Sequence, residues 1–197
     1  RLVGLGIAMS SEHNSDKLME MVLLGAKELA NADGGTLYIL EGDDKLQFQL
    51  MHNTSLGIAY GGTFDTAVNI PPVSLFDAAG EPNHSNVASY CVHKAETVNI
   101  ADAYDHVSFD FSGTRFVDAQ NNYKSQSFIT VPLRPRGGDV IGALQLINAL
   151  DENGKPIAFS VEIQGFVEAL AAQAATALDN RNLVEAQEQL MDGMVKL

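Results

Sequence analysis

The chain has one cysteine, Cys91, in 197 residues. That excludes an internal disulfide and a metal site built from several cysteines, and makes a reducing cytoplasm the expected compartment. Positive charge is equally scarce: 12 Lys and Arg stand against 25 Asp and Glu, a net charge of −13. Nucleic acid and anionic membrane surfaces are therefore poor partners, since affinity for phosphates comes from cationic neutralisation. No apolar run approaches the roughly 18 residues needed to cross a bilayer, and no secretory leader pattern is visible. With 46% hydrophobic residues the chain can bury a real core, and its length suits one domain with flanking helices better than two domains.

Hydrophobic periodicity then sets the order of elements. Leu2, Leu5 and Met9 lie at helical spacing. Asn14, Ser15 and Asp16 offer N-cap chemistry and an acidic first turn, and Leu18, Val22, Gly25, Ala26 and Leu29 form one helical face. Asp33-Gly34-Gly35 is expected to stop that helix. Thr36–Leu40 reads as a strand, Gly42-Asp43-Asp44 as a turn, and Lys45–Asn53 as its hairpin partner. Strict alternation there puts Leu46, Phe48, Leu50 and His52 on one face. Thr54–Asn83 is a long Gly- and Pro-punctuated connection. A short helix (Asn86–Lys94) and a short strand (Thr97–Ile100) follow. Ala101–Lys124 has no clean period and reads as loop plus short helix. Ser127–Leu133 and Val140–Asn148 form a second hairpin, its last strand apolar on both faces and so central. A helix runs from Phe159 to the end.

This order, with several local sequences, resembles the GAF family. The segments are Ser127-Phe-Ile-Thr-Val-Pro-Leu followed by the Gly137-Gly138 turn and Val-Ile-Gly-Ala-Leu-Gln-Leu-Ile-Asn148, then Thr97-Val-Asn-Ile-Ala-Asp-Ala-Tyr104, and Phe159-Ser160 opening the last helix. The resemblance implies an α+β fold of GAF-like (profilin- or PAS-like) type. Its central antiparallel sheet carries the N- and C-terminal helices on one face and a loop-rich ligand pocket on the other. Residues 1–14 are then a linker helix, 15–182 the domain and 183–197 a signalling linker to an output domain. The implied role is a non-catalytic, small-molecule-binding sensor that controls a downstream catalytic domain in a bacterial signalling protein.

Some members of the family bind cyclic nucleotides and carry an Asn-Lys…Phe…Asp-Glu pattern. Asn148 and Phe159 match it, but Ala149 replaces the Lys, and Ile163 and Gln164 replace the Asp-Glu. Losing both partners of an ion pair together can be neutral for stability, so the fold reading survives while the cyclic-nucleotide reading weakens. Bilin attachment needs a cysteine placed differently from Cys91, and GAF-fold methionine sulfoxide reductases need several. A haem would need an axial histidine, and His52, His84, His93 and His106 fit no haem motif.

The resemblance places a ligand pocket at Asp102, Ala103, Tyr104, Phe109, Phe116, Ser125 and Ser127, with His52 as a further candidate. Phe109 and Phe116 would wall a planar ligand, Asp102 would accept from a ring N–H, and backbone N–H groups near Ala103 would meet an anionic group. The plainer alternative is that the aromatic side chains fill the space under a loop, the aspartates face water, and His52 is a hydrogen-bonded core or rim residue. His93 and His106 with Asp102 and Asp105 match no metal-ligand spacing. No nucleophile–base set or phosphate loop is present.

At the C-terminus, Leu183, Leu190 and Leu197 repeat every seven residues beside a second row, Leu170, Ala177, Val184 and Met191. Such a repeat favours a coiled coil and hence a homodimer through the terminal helices. Ala171-Ala172-Gln173-Ala174-Ala175 is small enough for close helix packing. The stretch Leu183–Leu197 resembles the linker that precedes HD-GYP phosphohydrolase domains, whose members can cleave cyclic di-GMP. The competing readings are a ligand-free dimerisation and spacer module, and a haem or redox sensor.

Overall fold

A computed structural model describes residues 2–196. Leu197, the last member of the predicted seven-residue row, lies outside the described residues, as do Arg1 and the side chain of Leu2. The helices are α1 (Leu2–Ser11), α2 (Ser15–Ala30), α3 (Val87–Lys94), α4 (Ser112–Asn121) and α5 (Val161–Val195), with a 3-10 turn at Ala103–Asp105. The strands are β1 (Ala32–Glu41), β2 (Lys45–Asn53), β3 (Ile58–Gly61), β4 (Val73–Ser74), β5 (Val98–Ile100), β6 (Phe128–Leu133), β7 (Gly142–Leu150) and β8 (Pro156–Ile157). They form one antiparallel sheet of order β3-β2-β1-β7-β6-β5, with β4 added to β2 and β8 to β7.

The helices start where their caps allow. Asn14 accepts from the Lys17 N–H at 3.0 Å, and Ser160 accepts from Ile163 at 3.1 Å, each cap worth about 1 kcal/mol. The predicted stop of α2 at Asp33-Gly34-Gly35 is wrong. Asn31, at φ 50°, ends the helix in the left-handed conformation, and both glycines lie inside β1. Gly35 is there for closeness: a Cβ would lie 2.8 Å from Leu23 Cδ1 and 3.0 Å from Gln145 O.

The expected alternation of β2 is also broken. The pairing jumps from Leu37↔Leu50 to Tyr38↔Phe48, which leaves Gln49 as an extra residue. This bulge sends Leu46 and Phe48 to one face, against Tyr38, Leu75 and Ala88. Leu50 goes to the other, against α2 and α5. The long connection 54–83 is not structureless, since β3 and β4 both pair with β2. β7 is central as expected, between β1 and β6.

The two faces of the sheet are covered differently. One packs Leu37, Leu50, Ile129, Val131, Leu144 and Leu146 against Met9 of α1, Val22 and Leu23 of α2, and Val167, Leu170 and Ala174 of α5. Each such buried side chain stabilises by about 1.5–3 kcal/mol. Small residues let the helices approach: a Cβ on Gly6 would lie 2.6 Å from Gln173 Oε1, and one on Gly25 would lie 2.6 Å from Leu5 Cδ2. The other face carries α3, the 3-10 turn, α4 and the connections. Two smaller clusters fill it, one around Tyr38, Leu46 and Leu75 and one around Ile100, Phe111 and Phe128.

The glycines supply a direct test of this packing. A Cβ on Gly142 would lie 2.1 Å from the backbone oxygen of Tyr38, so Gly142→Ala must push β1 and β7 apart and is expected to destabilise by about 1–3 kcal/mol or more. Gly165 in α5 meets nothing within 4 Å, and Gly165→Ala is expected to stabilise by about 0.5–1 kcal/mol. Urea unfolding followed by far-UV circular dichroism checks both signs.

Candidate functional site

The loop-bearing face is organised around two buried polar residues. Asn148 is a non-glycine residue at φ 57°, a conformation that costs roughly 1–2 kcal/mol without compensation. Its side chain provides it. Oδ1 accepts from the N–H groups of Gln126 (2.7 Å) and Ser127 (3.1 Å), while Nδ2 donates to Lys124 O (2.8 Å) and Tyr123 Oη (3.0 Å). All four capacities of the carboxamide are used. Tyr123 Oη also accepts from Asn53 Nδ2 at 3.2 Å and donates to Asp33 Oδ2 at 2.7 Å. Burial and Asp33 together push this phenol up to about 12. Asp33 Oδ1 in turn accepts from the Ser55 hydroxyl at 2.8 Å. One network thus ties β7, the strap 122–127, β1 and the β2–β3 turn.

The second residue is Asp118, the one side chain that α4 buries. Its carboxylate accepts from Tyr104 Oη (2.6 Å), Ser125 N (2.8 Å) and Ser125 Oγ (2.8 Å). Burial and this hydrogen bond push the Tyr104 phenol up to about 12, and Lys124 Nζ sits 5.0 Å from the centre of the Tyr104 ring. A helix laid over the sheet is therefore held mainly by a hydrogen-bonded carboxylate rather than by apolar packing of its own.

Between these anchors runs a chain of rings. Phe76 meets His93, His93 meets His84, His84 meets Tyr90, and Tyr90 meets Phe109, with centroids 5.2–5.9 Å apart. Phe109 stacks on His106 at 5.6 Å and 16°, and Phe111 continues to Phe128 at 5.1 Å. His93 is held by Leu75 O, 2.6 Å from Nε2. Beneath α3, the fully buried Ser89 hydroxyl has no hydrogen-bond partner, a costly state for a polar group unless something else supplies one.

The residues expected to form the pocket meet only in part. Asp102, Ala103, Tyr104, Ser125 and Ser127 do come together around Asp118 and Asn148. Several of their hydrogen-bonding groups are already engaged: Asp102 Oδ1 accepts from Tyr104 N at 2.9 Å, the Ala103 N–H donates to Gln126 O at 2.7 Å, and Ser127 Oγ accepts from Ala149 N at 3.2 Å. An anion cannot use the Ala103 N–H without displacing that strap. Phe109 belongs to the ring chain. Phe116 does not, being 65% exposed on the outer side of α4. Helical spacing from the buried Asp118 puts it there.

His52 lies on the opposite side of the sheet, because the bulge at Gln49 reverses the facing of the strand end. Lys27 Nζ of α2 donates to its Nδ1 at 2.5 Å and to Thr54 Oγ1 at 3.0 Å. The ring thus takes the hydrogen-bonded structural role. His93 and His106 engage different rings, and no group of three or more His, Cys, Asp or Glu among the described residues can hold a metal ion. Cys91 lies buried in α3 with Sγ 3.6 Å from Thr130 O, and burial pushes its thiol up to about 12. Sequence reasoning missed Asp118, Tyr90 and Asn53. Asp118 lies in a segment without a hydrophobic period, where nothing in the sequence marks its carboxylate as buried.

Altered motif positions have a structural account as well. Ala149 belongs to the helix-side core and Ile163 packs against it, so the family's ion pair is replaced by apolar contact. Gln164 Oε1 accepts from Asn99 Nδ2 at 3.0 Å, and the same amide donates to Phe159 O at 3.0 Å.

An antiparallel sheet thus carries the terminal helices on one face and a hydrogen-bonded, loop-built roof on the other, an α+β architecture. The family profile of the GAF domain matches residues 14–178, and the chain belongs to the GAF family. GAF domains are small-molecule-binding regulatory modules of signalling proteins. The chain is 25% identical over 138 residues to the dual 3′,5′-cyclic-AMP and -GMP phosphodiesterase 11 of Drosophila melanogaster, a match covering 68% of this chain and 9% of that protein. It spans well under a fifth of the length of the curated relatives it matches. The GAF domain of a phosphoenolpyruvate-protein phosphotransferase from Coxiella burnetii superposes with a TM-score of 0.69 at 15% identity, covering 94% of each chain. The free methionine-R-sulfoxide reductase of Neisseria meningitidis, solved with its substrate, superposes at 0.62 with 16% identity, covering 93% of this chain and 89% of that one. At such identities the likeness establishes fold and leaves chemistry to the site. Among the described residues, no helix is long and apolar enough to cross a membrane.

Two changes test the network. Asn148→Ala loses the carboxamide and keeps the strained φ, so it is expected to destabilise by several kcal/mol. Asn148→Gly relieves the strain and should be about 1 kcal/mol less harmful; chemical denaturation ranks the pair. For His52, burial and the Lys27 ammonium hold the ring's pKa below its ordinary value. As pH falls through about 6.5, the unfolded chain takes up a proton that the folded state refuses, so stability is lost toward the lowered folded value. His52→Gln should remove that part of the decline, read as the wild-type-minus-variant difference in Tm between neutral and mildly acidic buffers.

Proposed function

We propose that the chain is a regulatory domain that takes a flat, nucleotide-sized molecule under the roof formed by 101–124 and transmits its presence through α5. The observation that carries this reading is the attachment of α4. Its single buried side chain is a carboxylate accepting hydrogen bonds from Tyr104 and Ser125, so the helix can lift and reseat without opening an apolar core. Beside it, the stacked His106–Phe109 pair offers the kind of surface on which a heteroaromatic ring packs.

Likeness to phosphodiesterases named for cyclic AMP and cyclic GMP makes cyclic nucleotides the first ligands to test, although the family's Lys and Asp-Glu positions are Ala149, Ile163 and Gln164. In this reading α5 from Leu183 onward is a signalling linker that pairs with a second copy. Its supports are the exposed apolar side chains of Leu183, Leu190, Met191 and Met194. The resemblance of this segment to the linker before HD-GYP domains makes cyclic-dinucleotide turnover the output we assign.

Thermal shift with cyclic AMP, cyclic GMP and cyclic di-GMP tests the first step. A ligand at 100 times its Kd adds about 2.7 kcal/mol, a Tm rise of about 5–10 °C at this size, and should slow amide exchange across 112–121. If none of them moves Tm or exchange while Phe109→Ala lowers Tm, the ring chain is simply core and the domain is a ligand-free spacer.

A further inference from the structure

We infer a second ligand site on the helix-bearing side, a groove between α1, α5 and the β6–β7 turn that takes an amphiphilic oxyanion: a carboxylate or phosphate head with a short apolar tail. The groove has a volume of about 960 Å³, within the range of small-molecule sites. It lies across the sheet from the roofed site described above and does not depend on it.

Charge distribution makes the case. The chain has five arginines and a net charge of −13, yet three of the five, Arg134, Arg136 and Arg181, line this one groove, together with His13. Gathering like charges in an acidic protein is unfavourable unless a counter-charge joins them. The carboxylates beside His13 and Arg181 do not fully serve, while Arg134 also borders a neighbouring pocket that Glu96 and Glu168 line. Glu12 lines the groove but accepts the Asn14 N–H at 3.0 Å. Glu185 accepts the Ser15 hydroxyl at 2.7 Å and stands 4.0 Å from Arg181 Nε, too far for a hydrogen bond. Arg181 Nε is consequently buried without a hydrogen-bond partner. Arg134 spends Nε on Gly138 O at 3.0 Å, which orients the guanidinium without consuming its terminal N–H groups. A planar guanidinium in that state is suited to a carboxylate or phosphate head.

Among polar residues such as Ser10, Gln173, Thr176 and Asn180, the groove also carries apolar side chains of α1 and α5. Ile7 of α1 and Val184 of α5 are both exposed and line the groove with Gly6 and Ala177. An apolar tail along Ile7 and Val184 with its head on the arginines would satisfy both parts at once. It would also join the β6–β7 turn to α1 and α5, the helices that leave the domain, so occupancy would stiffen α5.

Isothermal titration calorimetry with octanoate, octyl phosphate, 1-octanol and inorganic phosphate tests the site on the intact chain. Octanoate or octyl phosphate is expected to bind, with octanol and inorganic phosphate each weaker by about tenfold or more, the factor for losing one charge-assisted contact. Arg134→Gln with Arg136→Gln, both on an exposed turn, should weaken binding by at least about tenfold with an unchanged circular dichroism spectrum. Arg181→Gln should do the same independently. Amide shifts on titration should fall in 6–13 and 134–138 rather than 101–125. Equal affinity for octanol and octanoate, undiminished binding by both arginine variants, or shifts confined to 101–125 would overturn the proposal. So would octanoate binding that vanishes as protein concentration rises and sedimentation shows a dimer, since a second copy would then be the groove's occupant.

Discussion

The carboxamide of Asn148 is the constraint on which the loop-bearing face depends. It holds a left-handed backbone in the middle of the central strand's last turn and satisfies four hydrogen-bonding groups of the strap 123–127 at once. That strap carries Ser125, which binds Asp118, and Gln126, whose carbonyl receives the Ala103 N–H. Tyr104 and α4 are therefore positioned through Asn148 even though neither touches it. Phe159 of the same motif is also kept, and the Lys and Asp-Glu positions are Ala149, Ile163 and Gln164, while Asn148 has no apolar substitute that would satisfy the same strap.

The sheet separates two kinds of stability. On the helix side, aliphatic side chains interlock with three helices, and local opening there would expose a large apolar area. On the other side, α4 rests on one carboxylate, most ring contacts are edge to face, and the Ser89 hydroxyl of α3 lacks a partner. Regions that must move for binding come from the less costly end of this range. The proposed ligand under the roof and the proposed oxyanion between α1 and α5 would act on these two faces, with α5 common to both because it packs on the sheet and continues past its last buried residue, Leu178.

Much of the fold could be read from periodicity: the capped α2, β2 with its bounds, the short helix before β5 and the doubly buried β7. The failures have common causes. Gly34 and Gly35 read as a stop, whereas Gly34 makes room for the Asn53 side chain and Gly35 lets Leu23 and β7 approach β1. Alternation in β2 put His52 with Leu46, but a one-residue bulge, invisible in composition, moved it to the α2 side. Phe116 was grouped with Phe109 by residue type, and only the burial of Asp118 two positions on reveals that the helix turns Phe116 outward. Asp118 itself carried no signal, because a buried carboxylate and a solvated one have the same neighbours in sequence.

The sequence by itself determined the class of fold, the central strand, the acidic character and the absence of a multi-cysteine site, since these follow from composition and from local spacing along the chain. The tertiary structure decided which polar residues are buried, which face His52 takes, and where three arginines distant in sequence converge. Those properties depend on register and on contacts between segments far apart in the chain, and a bulge of one residue is enough to change them.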